Sequence, residues 1–280
     1  MTSTTVADLP SATIPAGPPP ALVALRTFGS VLWRDIFVTG RELLPFLAQV
    51  VIQPFFMLFI FGKVLTGIGY VNAAAFAPVL LAGIVALNGF LGGLQNTTMP
   101  LILDFSFTRE IEDRLLAPMP TALVAVEKMV FGALRGIVAA LLMAPIGLLL
   151  LPTVHWPASV WAPIVGIVVL GSLAGAAIGM TIGTLVPPRR INIMFAVILT
   201  PLMFTGATQF PWRSLGSERW FQVVCAINPL TYISEAMRRV TVPAGTLSSI
   251  PLWIDFPAAA FAVLLFGAIG IAGFHKRAID

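Results

Sequence analysis

Charge is what this sequence lacks most. Only 10% of the residues are Asp, Glu, Lys or Arg, whereas soluble domains carry roughly 25%. No such residue occurs from Val64 to Leu103 or from Gly136 to Pro188. Because the helices of a soluble protein need a polar face, these stretches exclude a water-soluble domain. Helices that cross a bilayer need about 20 apolar residues each, so the sequence predicts an all-α integral membrane protein.

Cysteine and catalytic motifs are equally scarce. Cys225 is the single cysteine, so the chain cannot form an internal disulfide. The sequence contains no Gly-x-x-x-x-Gly-Lys-Ser/Thr loop for ATP, no Gly-x-Ser-x-Gly and no His-Glu-x-x-His. The only histidines, His155 and His275, lie at predicted span ends. We therefore expect no catalytic site, no metal site and no cofactor bound by this chain itself.

Ionisable residues are also missing from the middle of the predicted spans. Glu127, Lys128 and Arg135 lie only near the entry of the third span. Proton- or ion-coupled carriers usually place an ionisable residue at mid-membrane, and the two halves of the chain show no visible repeat. These absences predict a transport pathway whose energy comes from another protein.

Six spans are predicted, separated by breaks rich in glycine or proline. They cover about 43–62, 78–101, 123–151, 161–186, 191–209 and 256–274. The first twenty residues contain five prolines and lack both the basic and the apolar part of a signal peptide. We expect a disordered Pro-rich tail at 1–20 and a six-span permease domain at 21–280.

The distribution of Lys and Arg predicts that both termini are cytoplasmic. Basic residues lie ahead of the first span and after the second, fourth and last, while the loops 66–77 and 152–160 have none. One loop disagrees, because parity places its four arginines outside. These are Arg213, Arg219, Arg238 and Arg239.

Three segments are neither spans nor simple loops. Residues 21–39 combine an apolar face with a basic one, which favours a helix lying on the membrane over a capped start of the first span. Residues 104–117 predict a short charged cytoplasmic helix, either a docking surface or a solvated loop. Residues 211–249 predict two short helices that re-enter the outer leaflet. Glu235, Arg238 and Arg239 are expected at the water interface, with Glu235 and Arg239 as an i, i+4 pair.

Several motifs in this order resemble those of one family. They are Leu-Leu-Ala-Pro-Met-Pro at 115–120, Pro-Leu-Met-Phe-Thr-Gly at 201–206 and Asn-Pro-Leu-Thr-Tyr-Ile-Ser-Glu-Ala-Met-Arg at 228–238. The chain is similar to the membrane subunit of type-2 ABC exporters, the group that includes daunorubicin-resistance and nodulation-type permeases. The resemblance covers nearly the whole chain after the Pro-rich tail.

The resemblance implies a permease dimer, formed with itself or with a related chain, above two copies of a separate ATPase subunit that bind ATP and Mg. It places the complex in the inner (cytoplasmic) membrane and implies no contact with nucleic acid. The segment 104–117 then becomes the coupling helix that receives motion from the ATPase. Its expected contacts are Arg109, Glu110, Ile111, Glu112, Arg114 and Leu115.

The resemblance also places the substrate path at the dimer axis and an outer gate in the re-entrant segment. Path candidates are Phe55, Phe56, Phe59, Asn88, Gln95, Asn96, Met203 and Phe204, and gate candidates are Asn228, Pro229, Tyr232 and Glu235. The aromatic and Met residues can instead face lipid, and the asparagines can instead join helices. Glycines spaced by four, Gly171, Gly175 and Gly179, favour close helix packing.

The expected function is ATP-driven export of a hydrophobic drug, lipid or natural product. Export of a lipid-linked saccharide is the alternative within the family. A carrier of another class, or a membrane enzyme acting on lipid, is the alternative outside it. Such an enzyme needs an acidic or histidine cluster, and the only acidic group, at 104–113, alternates with arginine.

Overall fold

The computed structural model describes residues 20–41, 43–105, 119–190, 193, 195–243 and 245–279. No strand occurs in these ranges, which are helical almost throughout. The predicted all-α fold is therefore confirmed. The predicted tail up to residue 19, and the predicted coupling helix from residue 106 onward, lie outside the described residues.

The helices are labelled in chain order. They are α1 (Pro20–Arg41), α2 (Leu43–Leu58), α3 (Ala73–Leu103), α4 (Thr121–Leu150), α5 (Trp161–Leu185), α6 (Thr200–Thr205), α7 (Arg219–Ile227), α8 (Pro229–Thr241) and α9 (Leu252–Ile279). Helix α2 continues through a π-helical segment, Phe59–Val64, into Leu65–Gly67, and a second π-helical segment, Phe195–Leu199, precedes α6. Short 3-10 helices at Ala158–Val160, Pro188–Arg190 and Trp212–Ser217 complete the described elements.

Five helices are long and apolar enough to cross a membrane: α2 with its continuation, α3, α4, α5 and α9. The predicted fifth span, 191–209, differs from them. Its described part contains a shorter apolar helix, Ala196–Thr205, which rises about 15 Å against a hydrocarbon core of about 30 Å. A sixth full span is thus not confirmed in the described part of the chain.

Helix α3 forms the centre of the bundle, packed between α4 and α5. Small residues allow this contact, as the glycine spacing predicted. A Cβ on Gly175 of α5 would lie 1.9 Å from the carbonyl oxygen of Phe90, and one on Gly179 would lie 2.4 Å from that of Leu94. The backbones of α3 and α5 are therefore in direct contact. In lipid no hydrophobic driving force brings helices together, so van der Waals contacts of this kind stabilise the pair.

The N-terminal helix α1 lies against the end of the bundle that is predicted to be cytoplasmic. Ala24 and Val31 pack against the apolar cluster around Phe274. Leu25 and Trp33, in contrast, are each 68% exposed. The predicted helix at 21–39 is thus observed, and its exposed apolar residues need a covering in the cell.

A buried ion pair fixes the junction between α3 and α4 at the same end of the bundle. The Lys128 ammonium lies 2.6 Å from the Asp104 carboxylate, and both residues are only 6% exposed. Asp104 caps the C-terminus of α3 and is the first residue of the predicted coupling segment, 104–117, so this pair holds the start of that segment against α4.

Candidate functional site

A groove runs along α3 between α2 and the end of α6. Its empty space is about 490 Å³, part of which is open solvent. The walls combine aliphatic and methionine side chains with four amides. The lining residues are Val50, Gln53, Pro54, Met57, Leu87, Asn88, Leu91, Gly92, Gln95, Asn96 and Met203.

The two asparagines of the groove have structural partners. Asn88 donates from Nδ2 to the carbonyl oxygen of Ala139, 2.9 Å away on α4. Asn96 donates from Nδ2 to the carbonyl oxygen of Gly92, 2.7 Å away in its own helix. Asn88 therefore joins two helices and also lines the groove, so both roles considered for it from the sequence are compatible with the structure.

The structure brings half of the predicted path residues together. Asn88, Gln95, Asn96 and Met203 share the groove. The predicted aromatic residues of α2 lie outside its wall: Phe55 stacks on Phe59 with ring centroids 6.1 Å apart. Two further predicted residues point away from the bundle, since Phe56 is 55% and Phe204 54% exposed.

Sequence reasoning missed Val50, Gln53 and Pro54 of the wall. Together with Met57 they follow the spacing i, i+3, i+4, i+7 of one helix face. Gln53 carried a further signal, because it is one of only two polar residues in this helix, with Gln49, and polar residues in spans usually have a role.

Asn228 caps the N-terminus of α8 and connects this helix to α6 by hydrogen bonds. Its Oδ1 accepts from the amide nitrogen of Leu230, 3.0 Å away, as an N-cap, and Pro229 follows in the first turn. Its Nδ2 donates to the carbonyl oxygen of Leu202 at 2.7 Å and to the hydroxyl of Thr205 at 2.9 Å. The end of α6, which carries Met203 of the groove, is thereby tied to the predicted gate segment.

The other gate candidates hold the segment together from within. Tyr232 donates its hydroxyl proton to the carbonyl oxygen of Ala226, 2.7 Å away, which joins α8 to α7. Thr231 donates likewise to the carbonyl oxygen of Cys225 at 2.6 Å. Helices α7 and α8 therefore form one hydrogen-bonded unit.

The centre of this unit is an ion pair that solvent does not reach. Glu235 is 0% and Arg238 1% exposed, and their side chains lie 2.8 Å apart. Glu235 also accepts from the amide nitrogens of Trp212, at 2.9 Å, and Ile250, at 3.2 Å. Arg238 donates to the carbonyl oxygens of Ala207 and Val79. The pair thus joins α8 to α3 and to both loops that flank the segment.

This arrangement corrects one sequence prediction. Glu235 and Arg238 were expected at the water interface, with Glu235 paired to Arg239. Instead Glu235 pairs with Arg238 in the interior, and of the two arginines only Arg239 is exposed. Asp255, in the first turn of α9, is a further buried acidic residue and is 1% exposed. Neither of its carboxylate oxygens has a hydrogen-bond partner among the described residues, and no motif in the sequence had indicated this residue.

The predicted ATPase contacts cannot be placed on the structure. Arg109, Glu110, Ile111, Glu112, Arg114 and Leu115 all lie outside the described residues. Within the part of the chain that is described, no three His, Cys, Asp or Glu residues lie close enough to hold a metal ion.

Comparison with known proteins agrees with this architecture. Residues 26–242 match the ABC-2 type transporter family. The chain is 26% identical over 181 residues to the inner membrane transport permease YadH of Escherichia coli K12, which covers 64% of this chain and 68% of that protein. The YadH permease of Shigella flexneri matches with the same identity and coverage. Because the family match spans most of the sequence, this chain belongs to the ABC-2 type transporter family and is a membrane-spanning permease subunit.

Proposed function

We propose that the chain is the transmembrane half of an ATP-driven exporter for hydrophobic or amphipathic molecules such as drugs, lipids or natural products. The observation that carries this proposal is the groove on α3, where four amides lie among aliphatic and Met side chains. Methionine surfaces adapt to varied apolar molecules, and a few amides supply orientation without charge. Such a surface suits molecules that have an apolar body and a small polar part.

The groove is open on one side, and a second permease would close it. The helices beside it expose apolar residues, among them Phe56 and Phe204, each more than half exposed. Exposed apolar surface of this extent is typical of contact with lipid or with another chain. We propose that a second permease, identical or related, faces the groove so that two grooves form one path.

Energy must come from another subunit, because the chain has no nucleotide-binding loop. We propose that two copies of a separate ATPase bind ATP and Mg and engage the predicted coupling helix, 104–117. The buried Lys128–Asp104 pair would transmit its movement to α3 and α4 as one rigid junction.

The proposed location is the inner membrane, as for YadH, with both termini in the cytoplasm. In this layout the segment from residue 191 to residue 209 crosses the membrane as the fifth of six spans, and residues 211–249 form the re-entrant outer gate. Support comes from the hydrogen bonds that tie the end of α6 to α8. The exposed Leu25 and Trp33 of α1 would lie in the membrane surface.

The alternative substrate, a lipid-linked saccharide, receives less support from the groove. Saccharide-binding surfaces need charged or aromatic side chains against the sugar rings, and none lines the described groove. A carrier of another class or a lipid-acting enzyme receives less support still, since the family consists of ABC transporter permeases.

Substrate-stimulated ATP hydrolysis tests the role of the groove. We expect Gln53→Leu and Gln95→Leu to change the concentration of an amphipathic drug or lipid that gives half-maximal stimulation. The basal rate should stay the same. Ile52→Ala is the matched control, because this exposed residue of α2 neighbours Gln53 but does not line the groove. Equal effects of all three variants would refute the assignment of the groove as the path.

A further inference from the structure

The four arginines between α6 and α9, which conflict with the positive-inside rule, differ in their environment. Arg238 is buried and paired with Glu235. Arg213, Arg219 and Arg239 are exposed, and Glu218 is the one exposed carboxylate of the same segment. Among the described residues none of these three arginines forms a salt bridge. The segment therefore carries an excess of positive charge on its surface.

Arg239 lines a pocket, and this distinguishes it from Arg219. The pocket lies between the end of α8 and the loop that leads to α9. Its empty space is about 590 Å³, part of which is open solvent. Val242, Pro243, Leu247 and Ser249 form further parts of its wall. The guanidinium of Arg239 is thus the one charged group of the described lining that lacks a carboxylate partner, since Arg238 has Glu235.

The loop side of this pocket is held in place. Arg213 donates from Nη1 to the hydroxyl of Ser248, 2.8 Å away. Glu235 accepts from the amide nitrogen of Ile250. These two bonds anchor the loop at Ser248 and Ile250, on either side of Ser249 in the pocket wall.

Two exposed tryptophans indicate the level of the pocket relative to the membrane surface. Trp253, in the first turn of α9, is 75% exposed, and Trp220, at the start of α7, is 70% exposed. Exposed tryptophans at the end of a membrane helix usually lie at the level of the lipid headgroups. The loop that lines the pocket leads directly into this end of α9, at the level where lipid phosphates are abundant.

We propose that the pocket at Arg239 binds a phosphate group, supplied by a phospholipid headgroup at the membrane surface. Arginine offers several donors in a planar fork that matches phosphate oxygens, and the partly enclosed wall reduces competition from water. The bound lipid would hold the end of α8 against the loop before α9. This site is separate from the groove on α3 and does not depend on which molecule is exported.

Native mass spectrometry of the full chain in mild detergent tests the proposal. Phosphatidylglycerol is the probe, and diacylglycerol, which lacks phosphate, is the negative control. Removing the guanidinium in Arg239→Ala should lower phosphatidylglycerol affinity roughly tenfold, as expected for loss of a charge-assisted hydrogen bond. Arg239→Lys should retain part of the binding. Arg219→Ala, an exposed arginine outside the pocket, should bind as the wild type does.

Two further results show where the bound phosphate comes from and whether the proposal holds. Retention of the lipid in millimolar inorganic phosphate indicates the headgroup as the ligand, whereas displacement that depends on Arg239 indicates soluble phosphate at the same site. Unchanged phosphatidylglycerol binding in Arg239→Ala would overturn the proposal, and so would an equal loss in Arg219→Ala. Because Arg239 is exposed, the variant should fold, and its unfolding temperature verifies this.

Discussion

The guanidinium of Arg238 lies 2.8 Å from the carboxylate of Glu235, one helical turn earlier in α8, at a position closed to solvent. The two side chains neutralise each other's charge, and together they form four hydrogen bonds with backbone groups outside α8. Burial of two ions is costly unless the pairing is complete. The predicted gate segment is therefore attached to the bundle by a buried polar centre.

Removing one partner of this pair should be strongly destabilising. Arg238→Met leaves the Glu235 carboxylate buried without its counter-charge, which costs about 3–5 kcal/mol. Thermal unfolding in detergent should show a large drop for Arg238→Met and almost none for the exposed neighbour Arg239→Met. Adding Glu235→Leu to Arg238→Met should recover part of the loss. A stability equal to that of the wild type in Arg238→Met would contradict this account of the gate.

Contact between α3 and α5 should be sensitive to a single methyl group. Gly175→Ala places a Cβ against the carbonyl oxygen of Phe90 and should cost about 1–3 kcal/mol through overpacking. Gly166→Ala in the same helix is the matched control, because no atom lies within 4 Å of its added Cβ. Because alanine has a higher helix propensity than glycine, Gly166→Ala should leave stability unchanged or raise it slightly. Equal unfolding temperatures of the two variants would argue against the close packing.

The single cysteine should be unreactive in the folded protein. Burial raises the pKa of the Cys225 thiol, so the thiolate fraction at neutral pH falls below that of an ordinary cysteine, and the side chain is closed to reagents. Maleimide should label it only after denaturation, at pH 7 and at pH 8 alike. Rapid labelling of the native protein would show that α7 opens.

Because Cys225 is the single cysteine, introduced cysteines can test the orientation of the chain in the membrane. In a Cys225→Ser background, Tyr70→Cys and Lys276→Cys introduce one exposed thiol each, at the predicted outer and cytoplasmic ends. An impermeant maleimide added to intact cells should label Tyr70→Cys alone, and disruption of the membrane should expose both. The reverse pattern would invert the proposed topology.

The predicted coupling helix yields a prediction that rests on the sequence and the resemblance. Glu110→Lys or Arg114→Glu should disconnect ATP hydrolysis from transport without blocking membrane insertion, since reversed charges repel the ATPase surface. Arg189→Glu, which reverses an exposed charge at the predicted cytoplasmic side outside the predicted coupling helix, should have little effect. Wild-type coupling in both Glu110→Lys and Arg114→Glu would contradict the assignment of 104–117 as the coupling helix.

Local breakers explain why much of the fold could be predicted. Prolines flank α5, and its predicted range, 161–186, ends within one residue of the observed Trp161–Leu185. The range 123–151 likewise lies within two residues of α4, Thr121–Leu150. A proline or glycine breaks a helix through its own backbone, so these ends can be read from the sequence.

The site could be predicted only in part, because it depends on how helices face one another. Spacing alone allowed Glu235 to pair with Arg239, but the packing of α8 buried the face that carries Arg238. Asn88, Gln95 and Asn96 were identifiable as polar residues in an apolar helix, whereas Val50 and Pro54 became wall residues only through the position of α2. Tertiary contacts of this kind leave little trace in local sequence.

The most direct test of the central claim is co-purification. The tagged chain is expressed with its neighbouring genes, solubilised in mild detergent and isolated, and the proteins that accompany it are quantified. The account predicts a soluble ATPase in one-to-one ratio with the permease, whose ATP hydrolysis responds to amphipathic molecules. A permease that purifies alone although a candidate ATPase is present would contradict the account.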